Sequence, residues 1–123
     1  MDGNALKAML HVETPHVEWK ESYRNKEEIY RAGAAFAHDL AGSNAPGYVL
    51  IGVDRRGSIV GVPWSSAEEQ DKGLQELAGL FRQIKIVPNP SVDVEAVTIS
   101  GKTVVVLRVA PYAVPPVVKV DGV

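Results

Sequence analysis

Apolar and charged positions along this chain switch between two periods, and the switches mark out its elements. Val17-Glu18-Trp19-Lys20 alternates, as a short strand with one buried face does. Asn25 then stands before Lys26-Glu27-Glu28, an N-cap followed by acidic side chains in a first turn. Ile29, Ala32, Phe36, Ala37 and Leu40 follow at helical spacing and predict a helix over 26–41. Ala41 to Gly47 is rich in breakers and reads as a loop. Tyr48 to Val53 is a short apolar run, expected to be a strand buried on both faces. Asp54-Arg55-Arg56-Gly57 reads as a turn and Ser58 to Val62 as the returning strand, a hairpin that Pro63 ends.

The second half repeats the pattern. Ser65 or Ser66 caps a second helix with Glu68 and Glu69 in its first turn, where carboxylates oppose the positive end of the helix dipole. Leu74, Leu77, Phe81 and Ile84 form its apolar stripe, and Pro88 and Pro90 end the region. Val92 to Ile99 alternates, Ser100-Gly101-Lys102 turns, and Thr103 to Val109 returns as a strand. Pro111, Pro115 and Pro116 break the chain before a last strand, Val117 to Val120. Strand, helix, hairpin, helix, hairpin, strand predicts a two-layer α+β domain: one mixed sheet of about six strands carrying two helices. The domain is expected over 10–123, with 1–9 as an N-terminal extension. The ending Lys119 to Val123 stops just after a turn signal, as a domain cut short at its C-terminus would.

Composition narrows the chemistry. The chain has 123 residues, enough for one domain, and 46% apolar residues, enough for a core. It has no cysteine, which excludes a disulfide scaffold, a thiolate zinc site and a cysteine nucleophile. No apolar run approaches the roughly 18–20 residues that cross a bilayer. Met1 to Leu10 lacks the apolar stretch of a signal peptide, so no membrane partner is expected and the cytoplasm is the expected compartment. With a net charge of −2 and a pI near 5.9, any contact with nucleic acid must come from a local basic patch.

Gly101-Lys102-Thr103 resembles the end of a phosphate-binding loop. That loop needs a glycine five positions earlier, where this chain has Ala96, and a helix afterwards, where it has the strand pattern of Val104 to Leu107. A hairpin turn is the expectation. His11, His16 and His38 lack the spacing of a helical zinc motif. The carboxylates carry more. Glu13 and Glu18 bracket the start of the first strand, and Asp54 ends the next. Trp19 belongs in the core, so Glu18 and Lys20 face away from its layer. If the two strands are neighbours, Asp54 approaches Glu18, and clustered carboxylates hold Mg²⁺ or Mn²⁺. The other reading of the same residues is surface charge and a turn aspartate. Arg24 and Lys26 after the first strand, with Arg55 and Arg56 in the turn, form either a rim for phosphates or a solvated face shared with Glu21, Glu27 and Glu28.

A family resemblance sits on these segments. Glu13-x4-Glu18-Trp19-Lys20, Ala35-Phe36-Ala37, Gly47 to Asp54, and Gly57-Ser58-Ile59-Val60-Gly61 occur in that order. Ile86 to Pro90, Val104 to Val109 and Pro115-Pro116-Val117 follow. Together they resemble the Schlafen AlbA-type domain over residues 10–123. The resemblance implies a DNA-binding module of a larger bacterial transcriptional regulator or RecG-related protein, with fused C-terminal domains. Some similar Schlafen proteins cleave structured RNA with three carboxylates. By that resemblance Glu13, Glu18 and Asp54 are the candidate catalytic and Mg²⁺- or Mn²⁺-binding residues; Lys20, whose charge suits a developing phosphate charge, is a candidate catalytic partner on its own chemistry. Those proteins use two lobes, which a homodimer of this chain would supply. Before the second strand the family's Asn and Gly-Gly give way to the longer run from His38 to Gly47. The resemblance leaves DNA or RNA binding through Arg24, Lys26, Arg55 and Arg56 as the leading expectation. A metal-dependent ribonuclease lobe is one alternative; a nucleotide-binding or protein-interaction domain serving a fused ATPase is another.

Overall fold

The structure, a computed structural model, describes residues 1–11, 14–38, 44–82, 86–87, 90–112 and 119–120. Helix α1 spans Gly3–Ala8, strand β1 Val17–Lys20, helix α2 Lys26–His38, strand β2 Gly47–Ile51 and helix α3 Ala67–Leu80. Strands β3 (Ile86–Val87), β4 (Val92–Ile99), β5 (Lys102–Val109) and β6 (Lys119–Val120) complete the described elements. The helix starts are where short polar side chains can satisfy the first amides. Asn25 Oδ1 accepts from the Glu28 amide at 3.2 Å. The Ser66 hydroxyl oxygen accepts from Glu69 at 3.1 Å, while the Glu69 carboxylate reaches back to the Ser65 hydroxyl at 3.0 Å. Asp2 caps α1 in the same way through the Ala5 amide.

Four strands form one mixed sheet in the order β1-β2-β5-β4. β1 and β2 are parallel, with Glu18 opposite Val49 and Lys20 opposite Ile51; the crossover that parallel neighbours need is supplied by α2. β5 runs antiparallel to both β2 and β4. Because successive side chains point to opposite faces, the apolar runs of β2 and β5 feed two cores. On one face Val49, Ile51, Val105 and Leu107 pack with Ile29 and Tyr30 of α2, Leu77 and Leu80 of α3, and Phe81. On the other, Leu50, Val104, Val106, Val97 and Ile99 pack around Leu6 of α1 and Val17, with Trp19 at the margin. Burial of the Tyr30 phenol, reinforced by the charge of Glu27, pushes its pKa above the ordinary value of 10.

The mixed α+β architecture matches the sequence reading, and its details correct that reading in three places. The expected single sheet of about six strands is a sheet of four, with β3 and β6 paired antiparallel in a separate two-stranded unit. Ser58 to Val62 is not a returning strand: it makes one bridge, Val53 to Ile59. The reason is topological. β2 is already flanked by β1 and β5, so a hairpin partner has no open edge. Third, where two helices were expected the described residues hold three: α1 adds a partial third layer on the sheet's second face through fully buried Leu6. The helix end expected at 39–41, Ile84, and the whole segment from Ala113 to Val118 fall outside the described residues.

Candidate nucleic-acid interface

Parallel pairing brings the C-terminal ends of β1 and β2 together, and Lys20, Asp54, Arg55 and Arg56 lie at or just past those ends because of it. The Lys20 carbonyl accepts from the Gly52 amide at 2.7 Å and from Val53 at 3.2 Å, tying the two strand exits. From that point one chain segment leads through Glu21 to Asn25 into α2. The other enters the turn Asp54-Arg55-Arg56-Gly57.

Asp54 builds the turn three ways. Its carbonyl accepts from the Gly57 amide at 3.1 Å, and its own amide donates to the Ser58 carbonyl at 3.0 Å. Its Oδ1 accepts from the amides of Arg56 at 2.9 Å and Ser58 at 3.0 Å. An aspartate that accepts from amides two residues on is a strong turn former. Gly57 supplies the left-handed backbone, φ 80°, that closes it. The product is a fixed loop with Arg55 and Arg56 exposed on it. Their guanidiniums make no ion pair or hydrogen bond among the described residues. Beside them is an open cavity of about 190 Å³ lined by Glu21, Asp54, Arg55 and Arg56.

The other predicted site residues divide around this point. Glu18 and Lys20 share the α2 face of β1, as the strand alternation predicts. The Lys20 ammonium lies 3.9 Å from Glu18 Oε2 and 3.9 Å from Glu28 Oε2 on the first turn of α2. Lys20 therefore ties β1 to α2. Glu13 lies outside the described residues. Among the described residues no group of three His, Asp or Glu side chains is placed to hold a metal ion. Of the three carboxylates expected to hold Mg²⁺ or Mn²⁺, two are described: one oxygen of Asp54 serves two amides, and Glu18 lies 3.9 Å from the Lys20 ammonium.

Of the basic residues, Arg24 is exposed on the segment that leaves β1, at the same end of the sheet as Arg55 and Arg56. Lys26 is held toward α3. Its ammonium is 3.6 Å from Glu76 Oε2 and 5.5 Å from the centre of the Tyr23 ring. Nearby, Tyr23 and Trp64 meet at 5.5 Å between ring centres, and Trp64 occupies the space that a side chain on Gly73 would fill. This aromatic joint borders a second cavity of about 170 Å³. Both rings are already covered, Trp64 by Gly73 and Tyr23 by Lys26, so the joint reads as packing between α2 and α3.

Gly101-Lys102-Thr103 is a hairpin turn, as expected. Ser100 and Gly101 have φ of 52° and 77°, the pair of positive values that a two-residue hairpin loop takes. Lys102 opens β5 and donates to the Ile59 carbonyl at 3.2 Å. Sequence reasoning missed Glu21 as part of the cavity wall. It also missed that the segment after α1 packs on the arginine turn. No local signal marks either, because both depend on which strands become neighbours.

The family model described as Schlafen, AlbA_2 matches residues 13–122. No curated protein matches the chain. Among solved structures, the chain is similar to the N-terminal domain of an ATP-dependent DNA helicase RecG-related protein from Nitrosomonas europaea. The two share 24% identity at a TM-score of 0.65, over 98% of this chain and 81% of that one. The DIP2311 protein from Corynebacterium diphtheriae is similar at 18% identity and a TM-score of 0.51, over 94% of this chain. There the chain spans 22% of the neighbour's length. Both likenesses concern the fold.

Proposed function

The chain belongs to the Schlafen AlbA_2 family, and we propose that it is a cytoplasmic nucleic-acid-binding module of a larger protein, holding backbone phosphates on Arg55 and Arg56. The observation that carries this reading is the Asp54 turn: two adjacent guanidiniums, exposed and unpaired among the described residues, on a loop whose backbone is already fixed. A guanidinium presents a planar fork of donors that fits two phosphate oxygens at once. A turn that is ordered beforehand spares part of the entropy lost on binding. Arg24 extends the same edge. Lys26 contributes less, because Glu76 and Tyr23 already engage it. The name of the Nitrosomonas neighbour, a DNA helicase-related protein, agrees with a nucleic-acid context.

Contacts of this kind give affinity without sequence preference, and the affinity depends on salt through counterion release. Glu21 and Asp54 beside the arginines, and the net charge of −2, keep it low. The test is fluorescence anisotropy with labelled single- and double-stranded oligonucleotides, on wild type and Arg55→Ala/Arg56→Ala. Binding at low salt that the double variant loses by about tenfold or more supports the reading. Equal binding by the two proteins overturns it.

Metal-dependent RNA cleavage is the second reading, favoured by the placement of Glu18, Lys20 and Asp54 on adjoining parallel strands and their exits. Its donor set needs Glu13. A melting temperature raised by Mg²⁺ or Mn²⁺ in wild type and unmoved in Asp54→Asn, together with RNA cleavage, would establish it. Lys20→Ala would then weaken cleavage more than metal binding. No shift and no cleavage leave Asp54 as a turn former.

A further inference from the structure

Resting on that reading, we infer that the segment at the end of α1, Met9-Leu10, together with Trp19, is a clamp that holds the arginine turn in its binding geometry. Residues 1–10 precede the region that the family model matches, which starts at 13. Yet they are built into the candidate interface. The Trp19 indole N–H donates to the Met9 carbonyl at 2.9 Å. That bond presses the indole ring against the turn: a Cβ placed on Gly57 would come within 3.0 Å of Trp19 Cη2 and would collide with the Leu10 carbonyl oxygen. Met9, Leu10, Trp19 and Ile59 pack on the same core cluster as Leu6. The turn is thus gripped from outside by Leu10 and Trp19 at Gly57, while Asp54 fastens it from inside through the amides of Arg56 and Ser58. Ile59, just past the turn, is anchored again by Lys102.

Trp19→Phe removes the indole N–H that donates to the Met9 carbonyl and shortens the ring, taking away the Cη2 that meets Gly57, so both parts of the grip are loosened by one change. Trp19 acts here through Gly57, so it is a positioning residue and touches no phosphate. If the clamp holds, the two arginines meet a phosphate pre-ordered. If it is released, they must be ordered at each binding event and affinity falls.

The experiment compares wild type, Trp19→Phe, Asp54→Ala and Arg55→Ala/Arg56→Ala by hydrogen exchange of the amides of residues 55–58, oligonucleotide anisotropy and thermal melting. Trp19→Phe should speed exchange in the turn and weaken binding by about threefold to tenfold. Asp54→Ala, which opens the turn from its other side, should do the same. A global loss of fold in Trp19→Phe would show as loss of exchange protection in β5 as well. In that case the comparison passes to Leu10→Gly, which keeps the indole bond but removes the side chain that packs this segment on the core, freeing the main-chain carbonyl that meets Gly57, with the same two outcomes. Turn exchange unchanged in Trp19→Phe overturns the clamp. Faster exchange with unchanged affinity overturns its role in binding. Retained binding in the arginine double variant overturns the functional reading itself, and with it the purpose assigned to the clamp, while the exchange data still report whether Trp19 holds the turn.

Discussion

At the Ser100-Gly101 turn the chain reverses with backbone alone. Both residues take positive φ, and a Cβ on Gly101 would meet nothing within 4 Å. At Asp54 to Gly57 a similar reversal engages a carboxylate, two amides, an indole and a carbonyl from a different part of the chain. The first turn joins two strands and needs only to permit their pairing. The second joins no pair of long strands: past it the chain makes one bridge, Val53 to Ile59, and the amides of Val60 and Gly61 donate to the Gly52 carbonyl. A loop fixed by that many partners without a hairpin to close is one whose exposed side chains benefit from a set position. Those side chains are Arg55 and Arg56.

The sharpest way to separate the two turns is to put the same methyl on each. Gly57 and Gly101 have nearly equal φ, 80° and 77°. Alanine in the left-handed region costs about 1–2 kcal/mol at either place. At Gly57 the Leu10 carbonyl and Trp19 also stand in the way, and overpacking adds roughly 1–3 kcal/mol. Urea unfolding should therefore show Gly57→Ala losing about 2–5 kcal/mol and Gly101→Ala about half of that or less. Equal losses would mean that Leu10 does not sit on the turn.

The second difference is electrostatic. If Arg55 and Arg56 each hold a phosphate, Arg55→Ala/Arg56→Ala should cut the slope of log affinity against log salt by about 2 for duplex DNA. Arg108→Ala on β5 removes a charge already 3.9 Å from Asp93 and away from the turn, and should leave the slope near that of wild type. A slope that falls equally in both would point to diffuse attraction and sink the assignment to this turn.

How much of this was legible beforehand follows from the range of each interaction. Most elements were, because Asn25, Ser66, the alternation in β4 and the apolar run of β5 act over a few residues. The Ser100-Gly101 turn was, because its residues meet its backbone demand locally. The Asp54 turn was legible as a turn for the same reason. Its clamp was not: Met9 and Trp19 are ten positions apart, and Leu10 reaches Gly57 only because β1 lies beside β2. The false hairpin at Ser58 to Val62 has the same origin. An apolar run after a turn resembles a return strand until both edges of β2 are known to be taken. Of the expected carboxylate triad, alternation correctly placed Glu18 and Lys20 on one face, but nothing local shows that Lys20 would be shared with Glu28.

A smaller effect separates the first residue of each turn. Asp54→Ala removes the acceptor of two amides and should cost about 1–2 kcal/mol, in the range of a lost helix cap. Ser100→Gly relieves a side chain at φ 52° and should be neutral or stabilising by up to about 0.5 kcal/mol. Thermal melting of the two variants under one buffer suffices. A neutral Asp54→Ala would show that the Gly57 contacts alone maintain the loop.

The smallest expected effect belongs to Lys102, the residue that gives Gly101-Lys102-Thr103 its likeness to a nucleotide loop. In the structure it begins a strand, so no helix N-terminus follows to receive a phosphate. Its ammonium donates to the Ile59 carbonyl at 3.2 Å from an exposed position. Exposed charged contacts are worth little, because water competes for both groups and the long side chain loses freedom in forming them. Lys102→Ala keeps the Cβ that packs near Gly61 and removes only that bond, so the expected loss is about 0.5 kcal/mol or less. ATP with Mg²⁺ should leave the melting temperature of wild type and variant alike. A larger loss accompanied by faster exchange at residues 55–58 would make Lys102 a remote arm of the clamp, since Ile59 ends the gripped segment. An ATP-dependent rise in wild type that the variant lacks would instead make the hairpin a phosphate site, and the two turns would then differ in ligand and not in purpose.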